Sequence, residues 1–196
     1  MKESYVFLAE GFEDIEAITV IDLLRRAEIP VSTVSITDKY EVVSTHGITM
    51  KADKLISEID VANASWLILP GGMPGAENLF KCESLKKMLT EQAKSSDGRI
   101  AAVCASPAVV LGQMGLLQGE KATCYPGFEG LLAGAQYLNH PVVESGKFIL
   151  GNGPANAMRW ALSIIMADKG EATARRIADN LLFYPRSEAE VDYYFG

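Results

Sequence analysis

Apolar runs of four or five residues alternate along this chain with longer stretches in which apolar positions recur every three or four. The short continuous runs read as strands buried on both faces, and the longer spacing reads as amphipathic helix. Tyr5–Ala9 opens the series as a strand, and Asp14–Ala27 follows as a helix whose apolar spacing runs through Ile15, Ile18, Ile21 and Leu24. Val31–Ile36 is the next strand, and Val42–Met50 predicts a hairpin turning near His46-Gly47. Trp66–Leu69 is short, apolar and central, and Ser84–Ser95 is helical up to the break at Asp97-Gly98. Ile100–Val103 is a further buried strand that feeds a helix over Pro107–Met114. Val142–Leu150 holds two short strands around Ser145-Gly146, and helices near Ala155–Asp168 and Glu171–Leu182 follow. Strands and helices alternating in this way predict an α/β fold with a mainly parallel sheet. Without an internal repeat, a low-complexity tract or a long linker, residues 1–196 read as a single domain.

That architecture predicts where chemistry gathers, because open parallel sheets bind ligands beyond the carboxyl ends of their strands. The loops leaving Tyr5–Ala9, Trp66–Leu69 and Ile100–Val103 carry Glu10–Glu16, Pro70–Gly75 and Cys104–Pro107. An acid, a glycine loop and a thiol should therefore converge. Cys104 stands where a strand breaks into Ala105-Ser106-Pro107, and Pro107 suits a first helical turn because its missing N–H is no loss there. A nucleophile in such a strand–turn–helix is pushed out of the sheet toward helix amides that favour negative charge. The plain alternative is a buried, inert cysteine. Glu16 sits in the first turns of its helix, where carboxylates often serve only as dipole partners, as Glu13 and Asp14 do in this reading. Beside a thiolate, however, its carboxyl cannot cheaply stay ionised, so one of the two must hold the proton and Glu16 and Cys104 should titrate as a coupled pair. Gly71, Gly72 and Gly75 admit backbone close to a ligand and offer amides for an anion, although a tight loop without a ligand explains them as well. Gly151–Asn156 contains Pro154 and lacks the strand and acid of a dinucleotide loop, so it reads as a helix start lining the pocket.

Composition narrows the setting. A formal charge of -7 argues against nucleic acid and anionic membrane as partners, and no apolar stretch is long enough to span a bilayer. The first twelve residues carry one basic side chain and run early into Glu13-Asp14, unlike a secretory signal. Cys82, Cys104 and Cys124 are an odd count with no framework spacing, which fits a reducing cytoplasm. Cys82 reads as structural, and Cys124 precedes Tyr125-Pro126 close to the expected cleft. His46 and His140, the only histidines, read as surface residues. No zinc spacing and no phosphate loop is present, so neither a metal nor a cofactor is expected. Tyr193-Tyr194-Phe195 forms an aromatic segment suited to covering core or a subunit contact.

The segments Glu10–Glu16, Leu69–Leu79, Ala101–Pro107 and Gly153–Ala155, in this order, closely resemble the ThiJ/PfpI superfamily, and within it the branch of the parkinsonism-associated protein deglycase and its bacterial relatives. The resemblance implies a flavodoxin-like three-layer sandwich related to class I glutamine amidotransferase domains, and a homodimer. It implies Cys104 as an oxidisable nucleophile, Glu16 as its protonated partner, and the amides of Gly72 and Ala105 as the anion site. Gly71, Tyr125 and Pro154 join the pocket in this comparison, and Arg26 and His46 align with basic positions near cleft and dimer contact. Two departures matter. Protease-like members have histidine directly after the cysteine, where this chain has Ala105, and Cys124-Tyr125-Pro126 stands where the deglycase branch commonly has Thr-His-Pro. Peptide hydrolysis, which needs an imidazole to activate the thiol and protonate the leaving amine, is thereby the least supported chemistry. The expected function is cysteine-dependent action on a small reactive carbonyl or its adduct on a glycated protein. An oxidative-stress sensor or redox-regulated chaperone is the alternative.

Overall fold

Strand β1 (Ser4–Leu8) is buried along its whole length, so its side chains serve two cores at once. Val6 and Leu8 face one side, with Val20 and Leu24 of α1 (Asp14–Arg26) and Trp160 and Ile164 of a later helix. Tyr5 and Phe7 face the other, with Leu85 and Leu89. This is the two-residue alternation of a strand, expressed as a run of apolar residues because both faces are covered. The computed structural model describes residues 2–62 and 64–183. The aromatic segment Tyr193–Phe195 lies outside them.

From α1 the chain enters β2 (Val31–Ser35), the hairpin of β3 (Glu41–Val43) and β4 (Thr49–Lys51), and the short β5 (Lys54–Leu55). It then crosses to β6 (Trp66–Leu69), runs through α2 (Gly75–Lys81) and α3 (Glu83–Lys94), and returns as β7 (Arg99–Val103). A wide helical turn over Pro107–Gly112 follows. A small pair, β8 (Lys121–Ala122) and β9 (Gln136–Tyr137), precedes β10 (Val142–Ser145) and β11 (Phe148–Gly151), and α4 (Ala157–Lys169) and α5 (Glu171–Asn180) follow.

The main sheet has the order β10-β11-β7-β6-β1-β2-β5. Every pairing in it is parallel except β10 with β11. α1 and α4 cover one face, and α2 and α3 the other, giving the three-layer, flavodoxin-like α/β arrangement. The chain winds from β1 toward β2 and then reverses to β6, so the switch point falls between β1 and β6, where a ligand crevice is expected. Among the described residues no helix is long and apolar enough to cross a membrane.

One expectation needs correction. The apolar spacing of α1 was read through Ile15, Ile18, Ile21 and Leu24; Ile21 and Leu24 are buried, but Ile15 and Ile18 are 56% and 47% exposed, and Ala17 and Val20 take the core positions in their place. One residue further along a helix is 100° further round it, so two stripes compete for the core. The sheet takes the stripe of Ala17, Val20, Ile21 and Leu24, which leaves Ile15 and Ile18 outside.

Candidate active site

Three loops meet above the carboxyl ends of β1, β6 and β7. The β1 loop ends in Glu13, whose carboxylate accepts the main-chain N–H of Glu16 at 2.8 Å and so caps α1. This cap starts the helix where Glu16 turns inward, and Glu16 is fully buried. The β6 loop contributes Gly71, whose N–H donates to Glu16 Oε2 at 2.8 Å. The β7 loop contributes Cys104, a non-glycine residue with φ of +64°, the strained backbone of a nucleophile elbow. Its own N–H donates to Gly151 O at 2.9 Å, and its carbonyl accepts from Tyr125 N–H at 2.8 Å, which holds the turn from both sides. Ser106 Oγ donates to Pro70 O at 2.6 Å and ties the thiol loop to the glycine loop.

Glycine is what allows thiol and carboxyl to meet. A Cβ on Gly71 would lie 2.6 Å from Cys104 Cβ, 2.7 Å from Glu16 Oε2 and 3.1 Å from Cys104 Sγ. With that space open, the Glu16 carboxyl hydrogen-bonds the Cys104 thiol, and the main-chain N–H groups of Gly72 and Ala105 are aimed at the sulfur. The second carboxyl oxygen of Glu16, Oε1, is buried with no hydrogen-bond partner among the described residues.

The electrostatics follow from this enclosure. Burial pushes Glu16 up to about 7, with the Glu13 charge adding to the rise and the Gly71 amide and the thiol opposing it. Burial and the Glu16 carboxylate push Cys104 up to about 12, against the Gly72 and Ala105 amides. The two groups form a dyad that sheds one proton near neutrality and keeps the second far above it, carrying a single negative charge in between. Here the structure departs from the expectation of an accessible thiol of low pKa: Cys104 is only 9% exposed. Cys124 is likewise buried, and burial together with Glu129 pushes it up to about 12.

The remaining sequence candidates divide. Tyr125 stands next to the elbow through its bond to the Cys104 carbonyl, and its ring lies against Gly153, beside Pro154. His46 is on the rim, exposed, with Nδ1 2.7 Å from Asp14 Oδ2. Arg26 is a correction: it is ten residues beyond Glu16 along α1, roughly 15 Å at helical rise, and pairs with Asp22 at 2.7 Å. A single chain does not bring it to the thiol. Among the described residues, Glu13, Asp14 and His46 place donor atoms within 4.8 Å of one another, a spacing open to a cation, but the His46–Asp14 bond and the helix cap already use these side chains. Sequence reasoning missed the Ser106 staple and the capping role of Glu13. The acid three residues before Glu16 was a usable signal for the cap, whereas nothing local marks the partner of Ser106.

Residues 2–167 match the model of the DJ-1/PfpI family. The chain is 38% identical over 186 residues to Arabidopsis thaliana "Protein DJ-1 homolog B", covering 94% of this chain and 42% of that protein. It thus spans less than half the length of that plant relative. It is 31% identical over 163 residues to "Glutathione-independent glyoxalase DJR-1.2" of Caenorhabditis elegans, covering 82% of this chain and 85% of the other. The solved structure "Toxoplasma gondii DJ-1, oxidized" superposes with a TM-score of 0.90 at 38% identity, covering 94% of this chain and all of that one.

Proposed function

Because the chain belongs to the DJ-1/PfpI family, we propose that it converts small reactive 2-oxoaldehydes to 2-hydroxy acids without a cofactor, through Cys104 and Glu16. The observation that carries this reading is the buried pair of one thiol and one carboxyl brought together at Gly71, beside the Gly72 and Ala105 amides. The name of the nematode glyoxalase relative supports the same class of substrate. Transfer of the thiol proton to Glu16 gives the attacking thiolate, under the Gly72 and Ala105 amides.

In this reading the sulfur lone pair attacks the aldehyde carbon, the C=O π pair moves to oxygen, and Glu16 protonates that oxygen to give a hemithioacetal. The carboxylate so formed removes the proton on the former aldehyde carbon and returns it to the adjacent carbon. The hydroxyl proton passes to the neighbouring oxygen, and the product is an isomeric 2-hydroxyacyl thioester. Water then adds to the thioester carbon as the Glu16 carboxylate takes its proton, the C–S bond breaks with its electron pair returning to sulfur, and the 2-hydroxy acid leaves with thiolate and protonated Glu16 restored. The Gly72 and Ala105 amides stabilise the anionic oxygen at each addition. A group of pKa near 7 suits Glu16 to both giving and taking a proton at neutral pH. Peptide hydrolysis finds no support, since no histidine is among the groups acting on the thiol.

Purified protein is expected to consume methylglyoxal with equimolar lactate formation, and Cys104→Ala is expected to do neither. Equal rates in the two proteins remove the reading. Peroxide oxidation confined to Cys104, with no Cys104-dependent turnover, favours the sensing role instead. Three unpaired thiols among the described residues agree with a reducing, cytoplasmic setting.

The exposed α1 stripe supports pairing with a second copy of the chain. Ile15, Ile18, Val43 and Ile48 are exposed, and the His46–Asp14 bond joins the hairpin that carries the last two to the helix. A contiguous apolar surface of this kind is commonly an interface. Light scattering is expected to give twice the chain mass, and Ile18→Asp, which leaves the core untouched, is expected to shift it to the mass of one chain.

A further inference from the structure

The thiol and its acid meet where the Gly71 backbone leaves room for them, and the segment that carries Tyr125 is bonded to the Cys104 carbonyl. We propose that the Tyr125 ring is the surface on which the substituent of the substrate packs, so that the site prefers neutral 2-oxoaldehydes bearing an aryl or similarly flat apolar group over the methyl or carboxylate members of that class. This inference rests on the carbonyl chemistry proposed above and narrows its substrate.

Two segments hydrogen-bonded to the backbone of Cys104 position the ring. Tyr125 itself donates to the Cys104 carbonyl, and Gly151, which accepts from the Cys104 N–H, leads directly into the Gly153 loop. The ring lies against Gly153: a Cβ there would meet Tyr125 ring atoms at 3.3 and 3.7 Å. Its other neighbour is Phe128, edge-on with ring centroids 6.5 Å apart. The ring is thus held in one place, yet Tyr125 is 45% exposed and its hydroxyl has no partner among the described residues. A fixed, uncovered aromatic face on a segment bonded to the Cys104 carbonyl offers an apolar platform with a fixed geometry.

Charge points the same way. Among the described residues no cationic side chain acts on Cys104 or Glu16, whereas the Glu13 carboxylate acts on Glu16. A carboxylate on the substituent, away from the Gly72 and Ala105 amides that face the reacting centre, is therefore repelled by the negative dyad and by Glu13, while a neutral flat group is not.

The test compares kcat/KM for phenylglyoxal, methylglyoxal and 4,5-dioxopentanoate, a 2-oxoaldehyde that carries a carboxylate, in the intact protein, Tyr125→Ala and Tyr125→Phe. The phenylglyoxal-to-methylglyoxal ratio is expected to fall about fivefold in Tyr125→Ala, the size of one lost aromatic contact, and to hold within about twofold in Tyr125→Phe. The dioxopentanoate is expected to be the poorest substrate. A ratio unchanged in Tyr125→Ala, an equal loss in both variants, or the dioxopentanoate as good as phenylglyoxal overturns the inference. Because Cys104 alkylation requires no turnover, intact-mass rates with phenacyl bromide and bromoacetone are measured alongside. If neither glyoxal is consumed the proposed function falls by itself, and the alkylation ratio, expected to drop by the same factor in Tyr125→Ala and fatal to the inference if it does not, still decides the role of the ring.

Discussion

Glu16→Gln is expected to lower Cys104-dependent carbonyl turnover by about 10²–10⁴-fold, the usual contribution of a positioned acid–base group, while making the fold more stable above neutral pH. Both effects have one cause. The Glu16 carboxyl is fully buried and is raised from 4.5 to about 7, chiefly by burial. The sign follows from proton counting. Between those two values the folded chain binds one more proton than the unfolded chain, so stability is fully present below about 4.5 and is lost as pH rises through 7. This count does not depend on whether the dyad's remaining proton sits on oxygen or on sulfur. At about 1.4 kcal/mol per pKa unit the loss is roughly 3 kcal/mol. Gln retains an acceptor for the Gly71 amide but has no charge to bury. Urea melts at pH 4.5 and pH 8 are expected to show the variant gaining on the parent by that amount between the two conditions. The inflection near pH 7 in the turnover profile should vanish with the carboxyl. A variant that tracks the parent at both pH values would mean that the buried carboxyl bears no such cost.

How much of this site was legible in the sequence depends on whether a feature was local. The elbow was legible because Cys104 breaks an apolar run one turn before Pro107, and the glycine loop and the acid because each follows a strand directly. Parallel strands then carry all three to one edge, so residue type and strand polarity together bring them to the same crevice. What failed was non-local. Ile15 and Ile18 have the helical spacing of core residues, and only the direction from which the sheet approaches α1 decides against them. Arg26 was assigned to the pocket by alignment, but helical rise alone carries it away from Glu16. The thiol was expected to be accessible and acidic. Its burial arises from the meeting of the 71, 104 and 151 backbones, contacts that no single segment encodes. Tyr125 could be named but not located, since its loop has no periodicity and is positioned by one bond to the Cys104 carbonyl.

Gly72→Ala is expected to remove carbonyl turnover and to destabilise the fold by about 3 kcal/mol, and the two losses can be separated. Gly72 has φ of +95°, a region that costs an L side chain roughly 1–2 kcal/mol. The added Cβ would also meet Gly11 O, and would lie 2.6 Å from Glu13 N and 2.8 Å from Phe12 C. These are main-chain atoms of the loop that caps α1, so nothing flexible can yield, and such overpacking costs a further ~1–3 kcal/mol. For a chain of this size the sum lowers Tm by about 6–12 °C. Gly47→Ala supplies the control: its φ is +80°, but nothing lies within 4 Å of the added Cβ. It is expected to lose only the conformational part, about 1 kcal/mol, and to keep turnover within about twofold of the parent, the equivalent of ~0.4 kcal/mol in the barrier. The excess loss in Gly72→Ala then measures how tightly the glycine loop is pressed against the α1 cap. Turnover should fall even at temperatures where the variant remains folded, because the Gly72 amide can no longer be held over the Cys104 sulfur. Matching melting points for the two alanine variants would show that the loop has room to move, and that its amide is not fixed by packing.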